Sequence, residues 1–248
     1  MIRTGFFIIV HVLATGLLGI VVLIISPFDF RGRLIGGVVR LWARILVAAS
    51  GVVTRVRGLE NLDPKRHYFF ACNHESAFDI PLALGGLPYH AVPVAKKELK
   101  KIPVMGWAMS RAKHIFVDRR DYRKAMETLE EARESLRKYP RSVLIFPEGT
   151  RSRDGEIHPF KKGGLGLAID LDMPVVPVAI CGTARVLPPR SLMIRKGKVE
   201  LRVGSPIDTE PWRDRNRSDF ANTVRQEVLA LRKAWLSERG ETSREVPE

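Results

Sequence analysis

Between Phe6 and Ile25 the chain runs for twenty residues without a formal charge, broken only by His11, Thr15, Gly16 and Gly19. Away from water a segment of this kind must satisfy its own backbone hydrogen bonds, which a helix does, and about twenty residues is the length a hydrocarbon core requires. Arg3 stands in front of it, as in a signal peptide. No small-residue cleavage pattern follows, however, and Ser26-Pro27-Phe28-Asp29 reads as a turn.

The stretch from Arg33 to Ala49 is patterned differently. At about 100° per residue, Ile35, Val38, Val39, Trp42, Ile45, Leu46 and Ala49 gather on one face, and Arg33, Arg40 and Arg44 near the other. Such a helix fits the interface plane of an anionic bilayer. The competing reading is an ordinary surface helix packed on a core. Beside the apolar segment the pair reads as a membrane-binding unit, residues 1–51. It is either a hairpin dipping into one leaflet or a span followed by an interfacial helix.

Lys and Arg number 41 against 27 Asp and Glu, an excess of 14, which favours an anionic partner. The basic runs carry no RNA-recognition or zinc-finger signature, so a membrane surface is expected and nucleic acid is not. Cys72 and Cys181 lie in apolar, strand-like runs and read as small hydrophobes in a reducing compartment.

From about Val52 the pattern alternates between strand and helix, which predicts one α/β domain over 52–248, a mixed sheet flanked by helices. Strands are expected at Val52–Val56, Tyr68–Cys72, His114–Val117, Val143–Phe146, Val175–Ile180 and Val199–Val203. Tyr122, Ala125, Leu129, Ala132 and Leu136 recur at helical spacing between Asp121 and Tyr139, and Pro140 ends the run. A second helix is expected from Ser218 to about Ser237.

Two polar clusters follow strand-like runs: Asn73-His74-Glu75-Ser76-Ala77-Phe78-Asp79 and Phe146-Pro147-Glu148-Gly149-Thr150-Arg151-Ser152. Ligand sites of α/β sheets collect where strands end. An imidazole held in one tautomer by a carboxylate is a general base suited to a hydroxyl. His74 and Asp79 would lie about 140° apart on a continuous helix, so the pair works only with His74 in a loop and Asp79 opening the next helix, where Pro81 suits the first turn. Ser76 reads as a helix cap, not a nucleophile, since it lacks the G-x-S-x-G elbow. Glu75 reads as a solvated loop carboxylate.

NHESAFD (73–79), KKELKKIPVMGWAMSRAKHIFVDRRD (96–121), FPEGTRS (146–152) and VPVAI (176–180) occur in this order and resemble the four blocks of the glycerolipid acyltransferase family. PFKKGG at 159–164 and GKVELRVGSPI at 197–207 are similar to further family segments. The resemblance implies transfer of a fatty acyl group from acyl-CoA or acyl carrier protein to the sn-2 hydroxyl of 1-acyl-sn-glycerol 3-phosphate, forming phosphatidic acid for phospholipid biosynthesis. His74 matches the family's base and Asp79 the carboxylate that orients it; the acceptor oxygen attacks directly, so no acyl-enzyme forms. Lys96 and the Asp118-Arg119 pair correspond to positions that bind the acceptor's glycerol phosphate, as do Glu148, Gly149, Thr150 and Arg151. Pro177 matches the proline of the fourth block.

A phosphate monoester suits Arg and Lys well, whereas the carboxylate of Glu148 would repel it. Glu148 therefore bonds glycerol hydroxyls, holds Arg151, or serves only as an ion-pair partner. Many family members carry a bulky pair where this chain has Ala77-Phe78, a departure that bears on substrate choice. No metal or cofactor is expected. Other acceptors (glycerol 3-phosphate, another lysophospholipid or a lyso-aminolipid) and a non-catalytic membrane-binding role stand as alternatives. The arginines at 31, 33, 40, 44, 55 and 57, just past the first apolar segment, favour a catalytic domain facing the cytoplasm, and the inner membrane is the expected location.

Overall fold

The computed structural model describes residues 2–118 and 121–241. Two long helices come first, α1 (Ile2–Ile25) and α2 (Arg33–Ser50). In the turn between them the Asp29 carboxylate accepts the N–H groups of Arg33 and Ile35 at 3.1 and 2.8 Å, capping the exposed donors of the first turn of α2.

The strands are β1 (Val53–Arg57), β2 (Phe69–Cys72), β3 (Ala91–Lys96), β4 (Ile115–Val117), β5 (Ser142–Ile145), β6 (Val175–Cys181) and β7 (Lys198–Val203). The helices among them are α3 (Asp79–Gly86), α4 (Met105–Arg111), α5 (Tyr122–Lys138), α6 (Lys162–Asp170), α7 (Thr183–Val186) and α8 (Arg217–Glu238). One mixed sheet results, in the order β1-β7-β6-β2-β5-β3-β4. β6, β2, β5, β3 and β4 run parallel, while β7 is antiparallel to β6 and carries β1 parallel to itself. The expected strands are present, with ends moved by a residue or two.

β3 was not expected. Pro93 interrupts the run Ala-Val-Pro-Val, and a residue without an N–H argues against an interior strand. Yet β3 lies between β5 and β4, with Pro93 opposite Leu144. Burial of Ala91, Val92 and Ala95 holds it there.

Alternate residues of the central strands feed two cores, because successive strand side chains point to opposite faces. Phe70, Cys72, Val176, Val178 and Ile180 join one core with α1, α2 and α3, through Phe7, Ala43, Leu46 and Leu82. Phe69, Ala71, Ala179 and Cys181 join the other with α5, α6 and α8, through Leu136, Leu165 and Val224. The break at residue 51 thus marks a change of secondary structure within a shared core.

The apolar face of α2 is turned inward. Ile35, Ala43 and Leu46 are buried, and Val39, Trp42 and Ile45 pack on the sheet-side core. The Trp42 indole donates to the Thr15 hydroxyl of α1 at 3.0 Å. This corrects the reading of α2 as an interfacial helix: its stripe is taken up by α1 and α3, and the surface-helix alternative is the one realised. α1 keeps an exposed apolar face, where Phe6, Ile9, Leu13, Leu17 and Ile24 point outward.

Candidate active site at the carboxyl edge of the sheet

The parallel strands bring five chain segments to one edge. β2 ends before His74, β3 at Lys96, β4 before Asp118, β5 before Phe146, and β6 before Gly182-Thr183. Asn73 fastens the first of these loops to its neighbour. Its amide donates to the Ile180 carbonyl at 2.9 Å, and its carbonyl accepts the Ile180 N–H at 2.7 Å, continuing the β2–β6 ladder through a side chain.

Asp79 opens α3 and is fully buried. Its Oδ2 lies 2.8 Å from His74 Nδ1 and accepts the N–H groups of Glu75 and Ser76 at 2.7 and 2.8 Å. Its Oδ1 accepts the Thr183 hydroxyl. An ionised carboxylate can only accept, so Nδ1 carries the proton and the lone pair sits on Nε2. The ring is mostly buried and stacks on Phe146, centroids 4.1 Å apart and planes 26° apart.

The loop after β5 grips the main chain of His74 from both sides. Glu148 Oε1 accepts the His74 N–H at 2.7 Å, and the Ser152 N–H donates to the His74 carbonyl at 2.7 Å. Glu148 Oε2 accepts the His158 N–H at 3.0 Å. Burial raises the pKa of Glu148, an effect these two N–H groups oppose. Among the described residues no ion pair joins Glu148 to Arg151. Of the expectations for Glu148, the ones built on Arg151 or on ion pairing alone give way to a carboxylate turned toward the backbone. Gly149, with φ +77°, lets the chain turn away at once; a Cβ there would stand 2.8 Å from Lys161 Nζ.

Glu75 is not the solvated carboxylate expected of it. It is buried, paired with Arg232 of α8 at 2.9 Å, and reached by the Asn73 amide at 3.3 Å. Burial pushes its pKa up to about 7; the Arg232 guanidinium opposes this, and the charges of Asp79 and Glu148 add to it. Ser76 accepts the Phe78 N–H at 3.1 Å and donates to the Leu187 carbonyl at 2.7 Å, so its hydroxyl is committed to the loop. The cysteines are free and buried, and burial raises both thiol pKa values, which leaves them inert.

The cations expected to hold phosphate stand further out. Lys96 is exposed at the end of β3, two strands from β2 and so about 10 Å across the sheet. Arg151 and Thr150 are both exposed. Asp118 is buried, with Lys97 as an ion-pair partner. Arg119 lies outside the described residues. Pro177 sits within β6 opposite Ala71, inside the sheet and away from this edge. Thr183 and Arg232 escaped the sequence reading, and Phe146, read only as part of the second polar cluster, was given no role beside His74. The strand-end rule could have flagged Thr183, which follows β6 directly, but nothing local marks Arg232 on a charged helix face.

The arrangement is a buried carboxylate, an imidazole with one free nitrogen, and exposed cations along a single edge, suited to removing a proton from a substrate hydroxyl. Residues 53–181 match the family model described as Acyltransferase. A 1-acyl-sn-glycerol-3-phosphate acyltransferase of Saccharomyces cerevisiae is 33% identical over 192 residues, 77% of this chain and 63% of that protein. The alpha form from Ovis aries is 30% identical over 217 residues, covering 87% of this chain and 76% of that one. The crystal structure of the 1-acyl-sn-glycerophosphate (LPA) acyltransferase PlsC from Thermotoga maritima superposes with a TM-score of 0.80 at 28% identity, over 94% of this chain and 95% of that one.

Proposed function

The chain belongs to the acyltransferase family, and from that premise we propose that it moves a fatty acyl group from acyl-CoA or acyl carrier protein to the sn-2 hydroxyl of 1-acyl-sn-glycerol 3-phosphate, forming phosphatidic acid. The observation that carries this reading is the Asp79–His74 pair, which leaves Nε2 free at the strand ends. Nε2 takes the acceptor's hydroxyl proton as that oxygen attacks the thioester carbonyl, and Asp79 stabilises the imidazolium. Collapse of the tetrahedral intermediate breaks the C–S bond, and the proton passes to the departing thiolate. A thioester is already activated, so the acyl thioester is the only co-substrate this chemistry requires.

Lys96, Arg119 and Arg151 supply charge for the phosphate, Gly149 and Thr150 a close backbone approach, and Glu148 the placement of His74. Residues 1–51 act as the membrane-binding part and residues 52–248 as the catalytic one. α1 is 24 residues long, about 36 Å. It packs on α2 and α4 along one face, with Gly19 against Val104 and Phe7 against Phe78, and presents the other face outward. A helix held in this way lies in one leaflet and lets a lipid acceptor reach His74 laterally. The arginines that follow it favour the cytoplasmic face of the inner membrane.

Acyl transfer from labelled acyl-CoA and acyl carrier protein to lysophosphatidic acid tests the reading. Activity should fall by at least ~10²-fold in His74→Ala and in Asp79→Asn. Full activity in His74→Ala would sink the mechanism. Activity with glycerol 3-phosphate or a lyso-aminolipid alone would keep the chemistry and change the acceptor.

A further inference from the structure

Under the α1–α2 turn, at the edge where the parallel strands begin, lies a cavity of about 250 Å³. His90 precedes β3, Lys113 stands just ahead of β4, and Arg141 precedes β5; Arg111 ends α4, and Asp29 and Arg31 come from the turn. The wall thus holds four cations and one carboxylate. Asp29 is occupied by the N–H groups of α2, and among the described residues none of the four cations is paired with a carboxylate.

Arg141 is the unusual member. It is buried, its NH1 and NH2 groups donate only to neutral acceptors of Ser135 and Tyr139, and its Nε has no partner among the described residues. Burial lowers its pKa to about 10. His90 beside it is held down to about 4, by burial first and by Arg141 second. A buried cation without a counter-charge costs stability unless an anion completes it. The same turn carries Phe28 and Phe30, 80% and 76% exposed, and Phe30 lines the cavity. One buried and three exposed cations beside two projecting aromatic rings match a phosphate joined to acyl chains.

We propose that this cavity binds the phosphate of an anionic phospholipid, at the opposite edge of the sheet from His74, with Phe28 and Phe30 against the lipid's apolar part. The site rests on the membrane association proposed above. It would fasten the far end of α1 to the leaflet while the near end, through Phe7 and Phe78, stays beside the candidate active site.

Vesicle flotation tests it, with phosphatidylcholine alone and with phosphatidylglycerol added, because phosphatidylglycerol is neither acceptor nor product in the proposed reaction. The wild type should prefer the anionic vesicles by about tenfold. Arg111→Ala with Lys113→Ala should lose that preference and still bind neutral vesicles as the wild type does. Lys65→Ala with Arg66→Ala, two exposed cations just upstream of β2, should retain it. Preference kept in the Arg111/Lys113 variant, or lost equally in both, overturns the site. Wild-type binding to both vesicles without preference overturns the site alone; binding to neither overturns the membrane reading and the lipid site with it. Thermal stabilisation by inorganic phosphate, at matched ionic strength and without a vesicle preference, would assign the cavity to free phosphate and overturn the lipid.

Discussion

At the scale of single residues, catalysis and its support divide between groups that would meet substrate and groups that meet only the main chain. Glu148 belongs to the second kind, since both its oxygens accept backbone N–H donors. In Glu148→Gln an amide must face one of those donors, which should disturb His74. The expected result is kcat down about tenfold or more with the acceptor KM within about twofold, whereas Arg151→Ala should raise KM. A rise in KM with kcat intact in Glu148→Gln would place Glu148 on the acceptor. Glu75 makes a stability prediction. Its folded pKa is about 7 against an ordinary 4.5, so between those values the folded chain holds a proton that the unfolded chain has lost. The stability it contributes is complete below 4.5 and is lost as pH rises through about 7. Denaturation of the wild type and Glu75→Gln between pH 5 and 8 should show the wild type losing ground to the variant as pH rises. Parallel curves would mean that Arg232 keeps Glu75 ionised throughout. The His74–Asp79 pair stood out by residue type and strand-end position and took its role from the family resemblance. The settings of Glu75 and Glu148 were not legible, because Glu75 meets Arg232 of α8 and Glu148 meets the His74 N–H, both distant in the chain.

Among the elements, α2 shows most directly how a pattern underdetermines a partner. An apolar stripe with arginines opposite fits a bilayer or a protein core equally well, since both remove the stripe from water. Leu46 is fully buried and Leu41, on the same helix, is half exposed. Leu46→Ala should cost about 2–5 kcal/mol in chemical denaturation, whereas Leu41→Ala should stay within about 0.5 kcal/mol. Equal small effects would mean that α2 does not pack as described. β3 shows the reverse case. Pro93 hid a strand that packing enforces, while β2, β5 and β6 were readable, β6 despite its own Pro177, because a strand buried on both faces admits few polar residues.

Over the whole molecule, α1 runs from the candidate active-site edge to the basic cavity and turns one apolar face outward. Leu13→Asp with Leu17→Asp should release the protein from neutral vesicles while leaving the near- and far-ultraviolet circular dichroism unchanged, because both side chains are exposed. Retained vesicle binding would locate the membrane contact elsewhere. Sequence alone determined the apolar helix, the α/β class, the strand-end motifs and the family resemblance, since each depends on residue type within a short window. Tertiary structure decided that α2 faces the core, that Glu75 meets Arg232 and Thr183 meets Asp79, and that four cations from three segments line one cavity. These are contacts between residues far apart in the chain, set by which strands lie side by side and which faces are left uncovered.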